Sequence, residues 1–140
     1  MISKMLVGIQ FSMLAMIVAV GSFPNSIASL VMFIGSALLG ITSILTMGIG
    51  NLRIFPEPKS DARLVTSGPY KLIRHPMYTS VLLLAASFLT DVHPVHGILW
   101  LILLGALMGK ISIEERMLPA QIPEYAEYQQ RTWKLIPFVF

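Results

Sequence analysis

Arg74-His75-Pro76-Met77-Tyr78 sets a guanidinium, an imidazole and a phenol within five residues, and Glu114-Glu115 sets two carboxylates side by side. Pro76 suits the first turn of a helix, where its missing N–H costs nothing. Residues beside it can then aim rings and backbone groups outward, and the helix N-terminus attracts a carboxylate or phosphate. Gly68-Pro69-Tyr70 reads as a turn opening a short helix of its own. Lys110 precedes Glu114 at i,i+4 spacing, which puts the two on one helix face. Two adjacent carboxylates where a helix leaves a bilayer are costly unless a cation meets them. From these residues alone, an ion pair among Glu114, Glu115, Lys110 and Arg116 accounts for the acids as well as a binding site does. A single His75 at a helix mouth also reads readily as a hydrogen-bonded structural residue.

The elements that must carry these residues are apolar. Hydrophobic residues make up 55% of the 140 and charged residues 12%, about half the roughly 25% charged of soluble domains. A soluble chain of this size buries only about two-thirds of its surface and could not hide so much apolar area. The chain therefore reads as one all-α domain, residues 1–140, built as a polytopic membrane helical bundle. The apolar segments run from Met5 to Val20, Ile27 to Ile49, Met77 to Leu89 and Val95 to Gly109. The second is long enough to cross a bilayer, which takes about 20 residues. The third and fourth are short, so they read either as a re-entrant hairpin or as spans lengthened by residues 70–76 and 110–117. We take the second reading, giving about four transmembrane helices.

Charge orients the bundle. All ten Lys and Arg fall before the first segment (Lys4), between the second and third (Arg53, Lys59, Arg63, Lys71, Arg74) or after the fourth (Lys110, Arg116, Arg131, Lys134). Under the positive-inside rule the N- and C-termini and the 51–76 loop are then cytoplasmic. The opposite loops are short and hold only Asp91 among charged residues. Lys4, the apolar run and Ala19-Val20-Gly21 also resemble a cleavable signal peptide, but we read the segment as a span. Tyr125, Tyr128 and Trp133 in the amphipathic tail suit a headgroup-level aromatic belt better than a cofactor wall.

Other chemistries find no support. The chain has no cysteine, so thiolate metal sites and cysteine nucleophiles are excluded. His93 and His96 near Pro94 have nothing beside them to suggest a metal site. Neither a dinucleotide fingerprint, a P-loop nor a zinc-protease motif occurs. No nucleic-acid partner is expected. Any nucleotide-like cofactor must sit among helices and loops at the membrane surface.

The order of the polar elements is informative. Leu64-Val65-Thr66-Ser67-Gly68-Pro69-Tyr70, then Arg74-His75-Pro76-Met77-Tyr78, Glu114-Glu115, Glu124-Tyr125-Ala126-Glu127-Tyr128 and Leu135-Ile136-Pro137-Phe138 resemble the isoprenylcysteine carboxyl methyltransferase and phospholipid methyltransferase superfamily. The resemblance covers residues 62–138. It implies an S-adenosylmethionine-dependent enzyme with a cytoplasmic cofactor site. By that resemblance Leu64, Val65 and Tyr70 line the cofactor pocket, His75, Pro76, Met77 and Tyr78 contact the cofactor, and Glu114 holds its amino acid end. Many relatives carry an arginine at the lipid substrate where this chain has Lys110, which cannot make the same bidentate contact with a carboxylate.

The implied acceptor is a lipid or lipid-anchored molecule such as an isoprenylcysteine carboxylate. Transfer to it depends mainly on orienting the two reactants. A carboxylate needs no general base, whereas a phospholipid amine must lose a proton, with Glu115 or a tyrosine assisting. Three alternatives remain: a phospholipid amine N-methyltransferase, an NADPH-dependent membrane reductase of related fold, and a non-catalytic helical membrane protein. The sequence leaves the oligomeric state open.

Overall fold

The computed structural model describes residues 1–57, 62–89 and 94–140. Lys59, Asp91 and His93 lie outside the described residues. Among the described residues there are five α-helices: α1 (Ile2–Val20), α2 (Ile27–Met47), α3 (Pro76–Ser87), α4 (Pro94–Gln121) and α5 (Tyr125–Arg131). A 3-10 turn, Gly68–Lys71, precedes α3. No strand occurs among the described residues, only an isolated parallel bridge between Ile73 and Trp133.

Among the described residues three helices, α1, α2 and α4, are long and apolar enough to cross a membrane. The third apolar segment corrects the four-span expectation. At 12 residues α3 is about 18 Å long at roughly 1.5 Å per residue, short of the roughly 30 Å hydrocarbon layer. Residues 70–76 do not lengthen it, because a residue before proline is driven out of the α region. His75, at φ −123° and ψ 55°, lies outside the α region, so no helical turn runs through it into α3. By contrast α4, at 28 residues, runs well past Arg116 and carries Glu114 and Glu115 to the end of the bundle.

Packing pairs α1 with α4 and α2 with α3. Ser26 and Ser29 start α2 with reciprocal side-chain-to-backbone bonds of 3.1 Å each, which satisfy N–H groups that a helix start leaves unpaired. Gly48, at φ +75°, ends it in a conformation that side chains disfavour. Along α2 the buried residues are Ser29, Ser36 and Ser43, seven apart. Small side chains on such a face let helices approach closely in lipid, where no hydrophobic force drives them together. A Cβ on Gly40 would lie 3.2 Å from the Ser80 hydroxyl of α3. Much of the rest of α2, including Val31, Ile34, Leu38, Ile41 and Leu45, is exposed and suits lipid rather than water. The core joins α1, α3 and α4 through Ile17, Leu82, Ala85, Leu99, Leu103, Leu107 and Ile111. Phe23, Phe33 and Phe88 close the end away from the polar loop, with ring centroids 5.9–6.3 Å apart.

Candidate active site

Two backbone segments far apart in sequence build the floor of the site. Residues 72–75 run beside 133–134, with the Arg74 N–H donating to Trp133 O (2.8 Å), the His75 N–H to Lys134 O (3.1 Å) and the Trp133 N–H to Leu72 O (3.1 Å). The Thr79 hydroxyl adds a bond to Leu135 O at 2.8 Å. This pairing holds Arg74 and His75 rigidly at the mouth of α3. From the other side α4 delivers the two acids.

Arg74 Nε donates to Glu115 Oε1 at 2.6 Å, with both side chains mostly buried. The same guanidinium donates to Gln129 O at 3.0 Å and to Thr132 O, tying α5 to the cluster. The His75 ring lies between the acids, with Nδ1 3.3 Å from Glu114 Oε2 and Nε2 3.2 Å from Glu115 Oε1. Both nitrogens can donate only when the ring is protonated. Burial opposes that charge, but hydrogen bonds to Glu114 and Glu115, and their negative charges, outweigh it and raise the pKa above the usual histidine value. Tyr78 donates its hydroxyl to Glu114 Oε1 and stacks on His75, centroids 5.6 Å apart and planes 9° from parallel. Lys134 stands 4.0 Å from Glu115 Oε2.

Beside this cluster lies a cavity of about 850 Å³ of empty space, its open part included. Leu64, Val65, Tyr70, Met77, Tyr78, Glu114, Leu118, Ile122, Tyr125 and Tyr128 line it, together with Asn51, Arg53, Phe55 and Arg63 from the loop after α2. Asn51 clasps that loop by exchanging bonds with the Arg63 backbone at 2.8 and 3.1 Å. Tyr128 donates to Tyr70 O at 2.6 Å. The Tyr70 hydroxyl is buried and has no hydrogen-bond partner among the described residues. Burial raises the pKa values of Tyr70 and Tyr125 and pushes Tyr128 up to about 12, so all three phenols are protonated near neutral pH.

Of the residues singled out by sequence, Leu64, Val65, Tyr70, His75, Met77, Tyr78 and Glu114 line the cavity. Pro76 is fully buried as the first residue of α3 and acts on the cavity by fixing its neighbours. Glu115 lies off the wall, engaged by Arg74, His75 and Lys134. Lys110 is not paired with Glu114. It donates to Gln10 Oε1 on α1 at 2.7 Å and sits 4.8 Å above the Tyr78 ring. Arg116 is exposed. Tyr125 and Tyr128 are 4% and 3% exposed, so they are cavity wall and not an aromatic belt. Asn51, Arg53, Phe55, Arg63 and Gln10 were not legible in advance. The loop residues have no periodicity to mark them, and a lone glutamine in an apolar run was the only signal for the last.

Two bacterial proteins align with most of this chain. The cobalt-zinc-cadmium resistance protein CzcN of Cupriavidus metallidurans is 35% identical over 102 residues, covering 71% of this chain and 47% of that protein. The nickel-cobalt-cadmium resistance protein NccN of Alcaligenes xylosoxydans xylosoxydans is 28% identical over 111 residues, covering 75% and 52%. The chain spans about half the length of these curated relatives. The sequence pattern of one family matches residues 29–120, from α2 through the acid pair to the end of α4, and the chain belongs to the isoprenylcysteine carboxyl methyltransferase family.

Proposed function

We propose that the chain transfers a methyl group from S-adenosylmethionine to a lipid or lipid-anchored acceptor at the cytoplasmic face of a membrane, with both of its termini on that side. The observation that carries this reading is the cavity at the basic end of the bundle, in which an unpaired, buried Tyr70 hydroxyl shares a wall with the Glu114 carboxylate. The residues fit the cofactor. Glu114 offers a carboxylate for the ammonium of its amino acid end, and a charge-assisted bond of this kind is among the stronger ones. Leu64, Val65 and Met77 offer an apolar bed for a purine, the tyrosine rings offer π faces for a cation, and Tyr70 offers a free donor. When bound, S-adenosylmethionine supplies a methyl group on a sulfonium, ready for in-line displacement by a nucleophile.

The chain's own residues then orient and shield. Tyr78 and His75 hold the Glu114 carboxylate in one geometry, and Arg74 holds His75 through Glu115. Glu115, with its oxygens engaged by three cationic side chains, acts here as a positioning residue. That favours a carboxylate acceptor, which needs no base, over an amine. Clustering of Lys4, Arg53, Arg63, Lys71, Arg74, Arg131 and Lys134 at the site end supports the cytoplasmic orientation. We read the metal resistance in the relatives' names as a physiological setting in which such a modification of the membrane acts.

Calorimetric titration of the detergent-purified protein with S-adenosylmethionine tests the reading. Saturable binding that falls about tenfold or more in Glu114→Gln is expected, since a hydrogen bond to a charged group contributes about 1.5–3 kcal/mol. Arg53 and Arg63 on the rim make NADPH the informative competitor. A folded protein that binds NADPH, or neither molecule, overturns the proposal.

A further inference from the structure

Lys110 points the wrong way for a membrane lysine. A lysine near a helix end ordinarily extends its stem toward the headgroups and keeps its ammonium in water. Side chains on a helix tilt toward its N-terminus, which for α4 is the bilayer interior, and Lys110 follows that tilt. Leu6 of α1 packs against Gly109, so the Lys110 backbone lies near the level of Leu6. Its Nζ nevertheless reaches Gln10 Oε1 at 2.7 Å, one turn or about 6 Å deeper along α1. Lys110 is 1% exposed and Gln10 8%. Among the described residues the ammonium has no carboxylate within ion-pair distance; its neighbours are the neutral Gln10 oxygen and the Tyr78 ring at 4.8 Å. The Glu114 charge acts on it only from beyond that distance; a buried cation without a close counter-charge is costly, and an ammonium has three N–H donors to place.

We propose that Gln10 is a positioning residue for an anionic acceptor, holding the Lys110 ammonium at the α1–α4 seam where a carboxylate or phosphate oxygen on a lipid tail meets it. The inference rests on the methyltransferase reading and adds to it a residue of α1, which lies outside residues 29–120. Tyr78 joins the two sides, giving its hydroxyl to Glu114 and its ring to Lys110. An acceptor anion at Lys110 therefore docks one aromatic ring away from the acid that faces the cofactor cavity.

The test uses the full chain in neutral detergent, with Gln10→Leu, Gln10→Glu and Lys110→Met beside the wild type. Probes are N-acetyl-S-farnesylcysteine, its neutral carboxamide, and dodecyl phosphate, which separates a phosphate source from a carboxylate one. Wild-type protein should bind at least one anionic probe about tenfold or more tighter than the carboxamide, as a charged hydrogen bond allows. Gln10→Leu and Lys110→Met should lose that preference. Gln10→Glu is the discriminating variant: a carboxylate there is a better partner for Lys110 and preserves the fold, but it neutralises the ammonium and should abolish the preference too. Should Gln10→Glu keep the wild-type preference, or should the wild type bind all three probes equally or not at all, the inference is overturned. S-adenosylmethionine affinity should stay at the wild-type value in Gln10→Leu, which touches none of the cavity-lining residues. Its absence from the wild type would sink the methyltransferase reading alone, leaving the anion preference to be judged on its own.

Discussion

Polar side chains in the α2–α3 half of the bundle and those at its basic end solve the same problem by opposite means. In α2, and in α3 beyond its first turn, each serine or threonine hydroxyl bonds to a carbonyl three or four residues back: Ser36 to Phe33 O, Thr42 to Leu38 O, Ser43 to Leu39 O, Thr46 to Thr42 O, Ser80 to Met77 O and Ser87 to Leu84 O. Such groups are satisfied wherever the helix exists. At the basic end Arg74 depends on Glu115, Gln129 and Thr132, Tyr78 on Glu114, and Tyr128 on Tyr70, partners 36 to 58 residues away. The first group lets helices pack in lipid without unmet donors. The second exists only when the whole chain is in place, and its energy is concentrated in a few charges.

Removing single groups should expose that difference. Arg74→Met strands Glu115 with its strongest partner gone, and breaking a buried charge pair typically costs about 3–5 kcal/mol. We expect a large drop in the thermal midpoint in detergent; a change no greater than that of a surface substitution would mean the cluster contributes little to the fold. His75 gives the comparison a pH axis. Its folded pKa is raised, so the stability it contributes is fully present below the unfolded value of about 6.5 and is lost as pH rises through the folded pKa. Melting curves across that window should show this loss in the wild type and its absence in His75→Gln.

Smaller effects should have informative signs. Tyr70→Phe removes a buried hydroxyl that has no partner, so the ligand-free protein should gain roughly 1 kcal/mol while its S-adenosylmethionine affinity falls. Unchanged affinity would mean that this oxygen does not meet the cofactor. Ser43→Ala should be the mildest, within about 0.5–1 kcal/mol, because the bond it deletes is local and leaves its carbonyl in the helix ladder. A penalty approaching that of Arg74→Met would erase the distinction between the two halves.

The same contrast decides what could be read from the sequence. Apolar runs announced α1, α2 and α4, and the types and order of Arg74-His75 and Glu114-Glu115 announced two elements that the fold does bring together. Helix length near proline was harder. The short α3 follows from His75 being held outside the helical region before Pro76, a constraint that composition alone does not weigh. Tyr125 and Tyr128 were misplaced because an aromatic residue suits either a headgroup layer or a cavity wall, and only the Tyr128 bond to Tyr70 decides between them. The helical spacing of Lys110 to Glu114 gave no sign of Gln10, its hydrogen-bond partner on a helix 100 residues earlier. Long-range partnership leaves no periodic trace, so the half of the molecule that carries the candidate chemistry is the half least visible in the pattern of residues.

The pairing of residues 72–75 with 133–134 has a consequence for how the protein is made. Membrane helices enter the bilayer one after another as the ribosome delivers them, and α1, α2 and α4 can do so from their own apolarity. Arg74 must wait for Glu115 until α4 has been synthesised, and for Thr132 until the residues after α5 emerge. A nascent chain stopped before Thr132 would therefore be inserted yet have no closed site. The cavity closes only after the helices that flank it are in place, so its assembly is a step apart from insertion.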